Sequence, residues 1–254
     1  MGIPNFWDTG SHNPLPVEET WNQFIVDTGG ILVSSILNKS PEFMNADYLY
    51  KQEQVVLELK EIETEFTNTE AFNNKFTVLL ERLLKENPNW KPYLLGGSGK
   101  VPQWFIIDFV RIARPNISRI LKKANRQIRD TKNHFNITTP YGTLLFVNDG
   151  FTGIMPDLVF ALICEILKNS YSSIDCFVYL TVNRYIEIKG SNVPRLVWWP
   201  VYSDRVDKFL SEFINELGRK WFEYLEIKIG PFTKKDVTTN GDIIKGAKSI
   251  IIPK

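Results

Sequence analysis

Residues 143 to 182 constrain the architecture more than any other stretch. Thr143 to Val147 reads as a strand and ends in the turn Asn148-Asp149-Gly150; a helix then starts at Pro156-Asp157 and runs to Leu167, and Ile174 to Val182 reads as a second strand. A strand, turn, helix, strand order is a crossover, which lays its two strands parallel in one sheet. The chain is therefore expected to be α/β, with a central mixed sheet flanked by helices.

Upstream, Gln54 to Lys60 alternates, with Val55, Leu57 and Leu59 on one face and Val56, Glu58 and Lys60 on the other. That period suits a strand. Ala46 to Tyr50 is a shorter strand candidate, close enough to pair with it as a hairpin. Before them, residues 1 to 16 form an irregular arm rich in Pro, Gly and Asn, and a helix begins near Val17-Glu18-Glu19, where acidic residues suit the positive helix end. Gly29-Gly30 breaks it. Ile31 to Leu37 has the spacing of a second short helix, closed by Ser40-Pro41. Residues 61 to 135 look helical: Glu70 to Lys85 repeats apolar residues at helical spacing, and Pro115-Asn116 opens a helix through about Asn133. The apolar run from Trp104 to Ala113 is left open between helix and strand. A strand near 184 to 189, a helix from about Ser203 to Gly218 and strands near 223 to 229 and 247 to 252 complete the pattern.

With 254 residues, 43% of them hydrophobic and 23% charged, the chain reads as one domain with a full core. Its 30 basic and 29 acidic side chains leave a net charge of +1, so only a local patch could argue for nucleic acid. The two cysteines, Cys164 and Cys176, lie in apolar runs and read as buried thiols of a reducing compartment. With His12 and His134 as the only histidines, a zinc site lacks partners. No signal peptide and no membrane-spanning run of about 20 apolar residues is visible, which makes the cytoplasm the expected compartment.

The spacing that carries chemistry is Asp47, then Glu58 and Lys60. Residues two apart on a strand share a face, and a hairpin partner beginning at Asp47 brings that carboxylate beside Glu58. Two carboxylates and the backbone carbonyl of Leu59 form a set of hard oxygen ligands with open positions, which Mg²⁺ prefers. A lysine alongside can orient or help deprotonate a water and stabilise phosphorane charge. Glu-x-Lys recurs at Glu187/Lys189 and Glu226/Lys228, and most such pairs are only the solvated face of a strand. Asp175 with Glu187 and Lys189 forms a rival triad.

Asp47 with Glu58-Leu59-Lys60 resembles the PD-(D/E)XK nuclease superfamily, whose pattern is an Asp at the start of one strand and a Glu-x-Lys on the next. Ala46 stands where the family often has proline. The resemblance implies a restriction-endonuclease-like core: a helix, a three-stranded meander, then a helix and a further strand. Segments 31–38, 46–50, 54–60, 143–147, 156–167 and 174–182 can be laid on it, with residues 61–140 as a mostly helical insertion between the second and third core strands. It also implies Mg²⁺- or Mn²⁺-dependent hydrolysis of DNA in defence or repair, with Asp47 and Glu58 on the metal, Lys60 assisting the water, and cutting of duplexes by a homodimer.

From Arg111 to Lys132 the chain carries eight cations against the single acid Asp130. Ile117, Ile120, Leu121, Ala124 and Ile128 make one helical face, which leaves Arg119, Lys122, Arg126 and Arg129 on the opposite one. With Lys123, these are candidate phosphate contacts. Gln127, on the flank, is a candidate support for the metal site, by analogy with nucleases that use a Gln or Lys from a neighbouring helix.

Other features argue for less. Gly96 to Lys100 lacks the phosphate-loop spacing, and no nucleophile elbow accompanies the histidines. Asn148-Asp149-Gly150 reads as turn chemistry, and Trp198-Trp199-Pro200 as a core or interface feature. The alternatives to an enzyme are a nuclease-like module that binds nucleic acid or protein without cutting, and an interaction protein in which Asp47 and Glu58 lie apart.

Overall fold

The computed structural model describes residues 12–37, 42–62, 70–91, 100–139, 141–149, 156–188, 194–232, 235–238 and 248–249. In chain order these form α1 (Val17–Asp27), β1 (Ile31–Leu32), α2 (Val33–Ile36), β2 (Tyr48–Tyr50), β3 (Val55–Glu61), α3 (Glu70–Glu86), α4 (Gln103–His134), β4 (Gly142–Val147), α5 (Pro156–Ser170), β5 (Cys176–Leu180), β6 (Ile186–Glu187), β7 (Trp198–Tyr202), α6 (Lys208–Ile229) and β8 (Lys248–Ser249).

Six strands form one mixed sheet in the order β1-β2-β3-β4-β5-β7, and β6 pairs with β8 in a separate two-stranded sheet. The expected crossover is present: β4 and β5 are parallel neighbours joined through α5. β3 is also parallel to β4, through α3 and α4, whereas β1-β2-β3 is an antiparallel meander and β7 is antiparallel to β5. Every residue of β4 and β5 is buried, because helices cover both faces of the sheet there. Leu49, Val56, Leu144, Phe146, Phe177 and Tyr179 pack under α3, α4 and α5. Tyr48, Val55, Leu57, Leu145, Val147, Val178 and Leu180 pack under α1 and α6, around a stack of Trp21 on Trp221 with centroids 4.2 Å apart.

Several expectations are corrected. Ile31 and Leu32 form the edge strand β1, and the expected short helix is confined to Val33–Ile36, so the segment laid on the first core helix begins as a strand. The break at Gly29 is real: its φ of +91° is a left-handed conformation that disfavours side chains. The helix expected to open at Pro115 begins at Gln103 and runs 32 residues, with Pro115 inside it. A mid-helix proline forfeits one hydrogen bond. Here Pro115 is exposed, while Phe109, Ala113 and Ile117 are buried on the other side and hold both halves to the core. The strand expected near 223 to 229 is the second half of α6: Leu217, Trp221 and Leu225 recur at helical spacing and are all buried. Glu226 and Lys228 therefore sit on a helix.

Trp198–Tyr202 is the outermost strand, with Pro200 at its centre. Thr181 N–H reaches Val197 O, and Ser203 N–H reaches Asp175 O, so odd-numbered residues of β7 face β5. Pro200 therefore turns its donorless nitrogen outward, the one orientation a sheet tolerates.

Of the irregular arm, residues 12–16 are described, and they carry no helix or strand; residues 1–11, the loop 96–99, Gly150, Lys189 and 250–252 lie outside the described residues. Among the described residues both cysteines are free thiols, Cys176 buried and Cys164 half-buried, and no helix is long and apolar enough to cross a membrane.

Candidate active site

β2 and β3 pair with Tyr48 opposite Leu57. One step further along this register sets Asp47 opposite Glu58. Val56 N–H bonds Tyr141 O and Ile62 N–H bonds Val147 O, so the even-numbered backbone groups of β3 face β4. Asp47 and Glu58 are thus a non-hydrogen-bonded antiparallel pair, the kind in which facing side chains come closest. Asp47 shares the face of Leu49, and Glu58 that of Val56; both belong to the side under α4. Lys60, two residues on, lies there too.

The three expected residues do meet. Lys60 Nζ is in contact with Glu58 Oε1. Asp47 Oδ2 accepts the Leu59 N–H at 2.8 Å, and the Asp47 charge opposes ionisation of Glu58. The Leu59 carbonyl projects from the same edge of β3 as its N–H, toward Asp47. Glu58 is fully buried, Asp47 and Lys60 are partly exposed, and apart from the Lys60 contact no donor is aimed at either Glu58 oxygen.

Burial, and then the Asp47 charge beside it, push Glu58 up to about 8 against the pull of Lys60. Burial also raises Asp47, opposed by the Leu59 N–H and Lys60, while Glu18 of α1 adds repulsion. One buried and one partly exposed carboxyl share a single lysine here. Asp47, Glu58 and the Leu59 carbonyl are hard oxygen donors that could hold a divalent cation, since Mg²⁺ takes one or two carboxylates and keeps waters. Among the described residues no group of three or more His, Cys, Asp or Glu could hold a metal.

α4 fixes the chain leading into Asp47. The Ala46 N–H donates to Thr131 Oγ1 at 2.7 Å, and Gln127 Nε2 donates to the Asn45 carbonyl at 2.9 Å. Gln127 thus braces the strand that presents Asp47, and its recorded bond goes to main chain. Thr131 was not singled out from the sequence. Its signal was there: it stands one turn after Gln127, a polar residue among apolar neighbours on the same helical face.

The basic row divides. Arg111 pairs with Asp108, Arg114 with Glu165, and Lys132 lies 3.9 Å from Asp175. Arg119, Lys122, Lys123, Arg126 and Arg129 are exposed, as expected. Arg126 and Arg129 share Asp130, whereas Arg119, Lys122 and Lys123 form no ion pair among the described residues.

Of the rival triad, Lys189 lies outside the described residues. Asp175 immediately precedes β5, where it is buried, accepts the Gly142 N–H and meets Arg205 at 2.7 Å. Glu187 follows the far end of β5 and belongs to the small β6-β8 sheet. Asn148 and Asp149, expected as simple turn residues, are also more than that. Asn148 is buried against Tyr179, and the Asp149 carboxylate accepts the N–H groups of Val182 and Asn183 at 2.8 Å each.

Compared with protein-family models, with curated proteins and with solved structures, the chain matches none.

Proposed function

We propose that the protein is a metal-dependent nuclease that hydrolyses phosphodiester bonds of DNA. The observation that carries this reading is the meeting of Asp47 and Glu58 across β2 and β3, with Lys60 against Glu58 and the Leu59 main chain at the same edge. Asp47, Glu58 and the Leu59 carbonyl would hold Mg²⁺ or Mn²⁺. Bound there, such an ion would lower the pKa of a water and neutralise charge on the scissile phosphate. Lys60, partly exposed at the rim, is positioned to orient the attacking water and to stabilise the charge that builds on the phosphate oxygens.

The element order supports a restriction-endonuclease-like core in a different alignment from the one the sequence suggested. α1, the meander β1-β2-β3, α4 and β4 follow that core's order of helix, three strands, helix and strand. In this alignment α4 is the core helix, and the insertion shrinks to the region of α3. The exposed cations of α4 supply a surface for phosphates, on the helix whose Gln127 and Thr131 brace the approach to Asp47.

A second reading, a module that binds nucleic acid without cutting, is favoured by one feature: Lys60 lies directly against Glu58 and offsets its charge. Cleavage of supercoiled and linear DNA with Mg²⁺ or Mn²⁺, beside Glu58→Ala, separates the two. The nuclease reading expects metal-dependent cutting that the variant loses. No cutting of either substrate, with no calorimetric binding of either ion, leaves the binding module.

A further inference from the structure

Arg184 follows the C-terminal end of β5, and its guanidinium reaches the main chain of Asp149, just past the C-terminal end of β4. It is only 4% exposed. Nη1 donates to the Asp149 carbonyl at 3.3 Å, while Nε and Nη2 are buried with no hydrogen-bond partner. It forms no ion pair among the described residues; the neighbouring Asp149 carboxylate is engaged by the N–H groups of Val182 and Asn183. A guanidinium has five donors and cannot shed its charge at ordinary pH. Burying one with two of its nitrogens unmet is unfavourable, which a missing acceptor would explain.

Asn148 is the second independent sign. It is 1% exposed, and its Oδ1 is buried without a partner while Nδ2 meets the Tyr179 hydroxyl at 2.7 Å. A phenol donates as well as accepts, so the carboxamide can turn over and present its NH₂ group where Oδ1 now lies. Asn148 continues the face of Leu144 and Phe146, and Phe146 is the register partner of Lys60. With strands about 4.8 Å apart and about 6.6 Å between alternate residues, diagonal neighbours of this kind are roughly 8 Å apart. That is comparable to the separation of successive phosphates along a nucleic-acid strand.

We propose that Arg184 and Asn148 form an oxyanion pocket that takes the phosphate next to the scissile one. The identity of the ligand's carrier rests on the nuclease reading; the pocket itself does not. Guanidinium and carboxamide donors suit phosphate oxygens, and a phosphate anchored there would set the next one against Lys60.

The full chain is titrated with inorganic phosphate and, separately, with a short single-stranded oligodeoxynucleotide, against KCl at matched ionic strength. Thermal unfolding and ³¹P line broadening are read for wild type, Arg184→Gln and Arg184→Lys. The pocket predicts a phosphate-specific rise in Tm and broadening in wild type, weakened in Arg184→Lys and absent in Arg184→Gln. It also predicts oligonucleotide binding at least tenfold tighter than phosphate, and at least tenfold weaker in Arg184→Gln. No phosphate-specific response in wild type overturns the pocket, even if Arg184→Gln fails to fold, and leaves Arg184 as a hydrated structural arginine. Phosphate binding with no gain for the oligonucleotide overturns the strand assignment. Phosphate binding through Arg184 in a protein that cuts nothing retires the nuclease reading and keeps the pocket. Cutting that is unchanged in Arg184→Gln, with no phosphate response, does the reverse.

Discussion

The Ala46 amide donates to Thr131 Oγ1 across 85 residues of sequence, and through that bond helix α4 holds the main chain one residue ahead of Asp47. Thr131 is fully buried, so the amide has no water to turn to. Thr131→Val keeps the shape and removes the acceptor. It is expected to cost about 1–3 kcal/mol of stability by chemical denaturation. If Asp47 works as proposed, the cleavage rate falls while the Kd for DNA holds. An unchanged rate in a destabilised variant would reduce the bond to a purely structural one.

Lys60→Ala is expected to abolish cleavage and leave DNA affinity within about twofold, because the lysine acts on the reacting groups and the grip comes from elsewhere. It also removes the one cation touching Glu58, which then becomes harder to ionise. Full cleavage by this variant at pH 8 would remove Lys60 from the mechanism.

Glu58 gives the metal-free protein a pH dependence of definite sign. Its carboxyl is raised from 4.5 to about 8 on folding. Between those values the folded chain keeps a proton that the unfolded chain has released, so stability is fullest below pH 4.5 and is lost as pH rises toward 8. Asp47 shifts in the same direction. Urea unfolding at pH 5 and pH 8.5 should show the loss in wild type and a smaller one in Glu58→Gln. Adding Mg²⁺ at pH 8.5 should restore stability to wild type only. Equal pH slopes in the two proteins would contradict the assignment.

Lys122→Gln and Lys123→Gln together test the exposed face of α4. If both contact phosphates of duplex DNA, the slope of log affinity against log salt should become shallower by about 0.9 for each lost contact. Neither residue is held by an ion pair among the described residues, so folding should be unaffected. An unaltered slope excludes this face from the interface.

Much of the sheet was legible in the sequence because its strands are either largely apolar, as in β4 and β5, or turn to alternation in their second half, as in β3. The same alternation put Glu58 and Lys60 on one face, and the hairpin brought Asp47 to them. What was misread has local causes. β1 is two residues long and has no period to detect. The aromatic and β-branched residues of 221–229 look strand-like, yet Leu217, Trp221 and Leu225 bury as a helix. Pro115 hid the continuity of α4, whose two halves are joined by burial on the side away from the proline. Thr131 and Arg184 were missed, and Asn148 was read only as turn chemistry, because their importance lies in tertiary hydrogen bonds, or in the lack of them, that no spacing along the chain encodes.

The outward nitrogen of Pro200 bears on how copies of this chain could associate. It interrupts the row of donors along β7 at mid-strand, and the opposite border of the sheet, β1, offers only two residues. Neither border can template a long continuous ladder between molecules, so the sheet is blocked from growing into a shared sheet or a fibril.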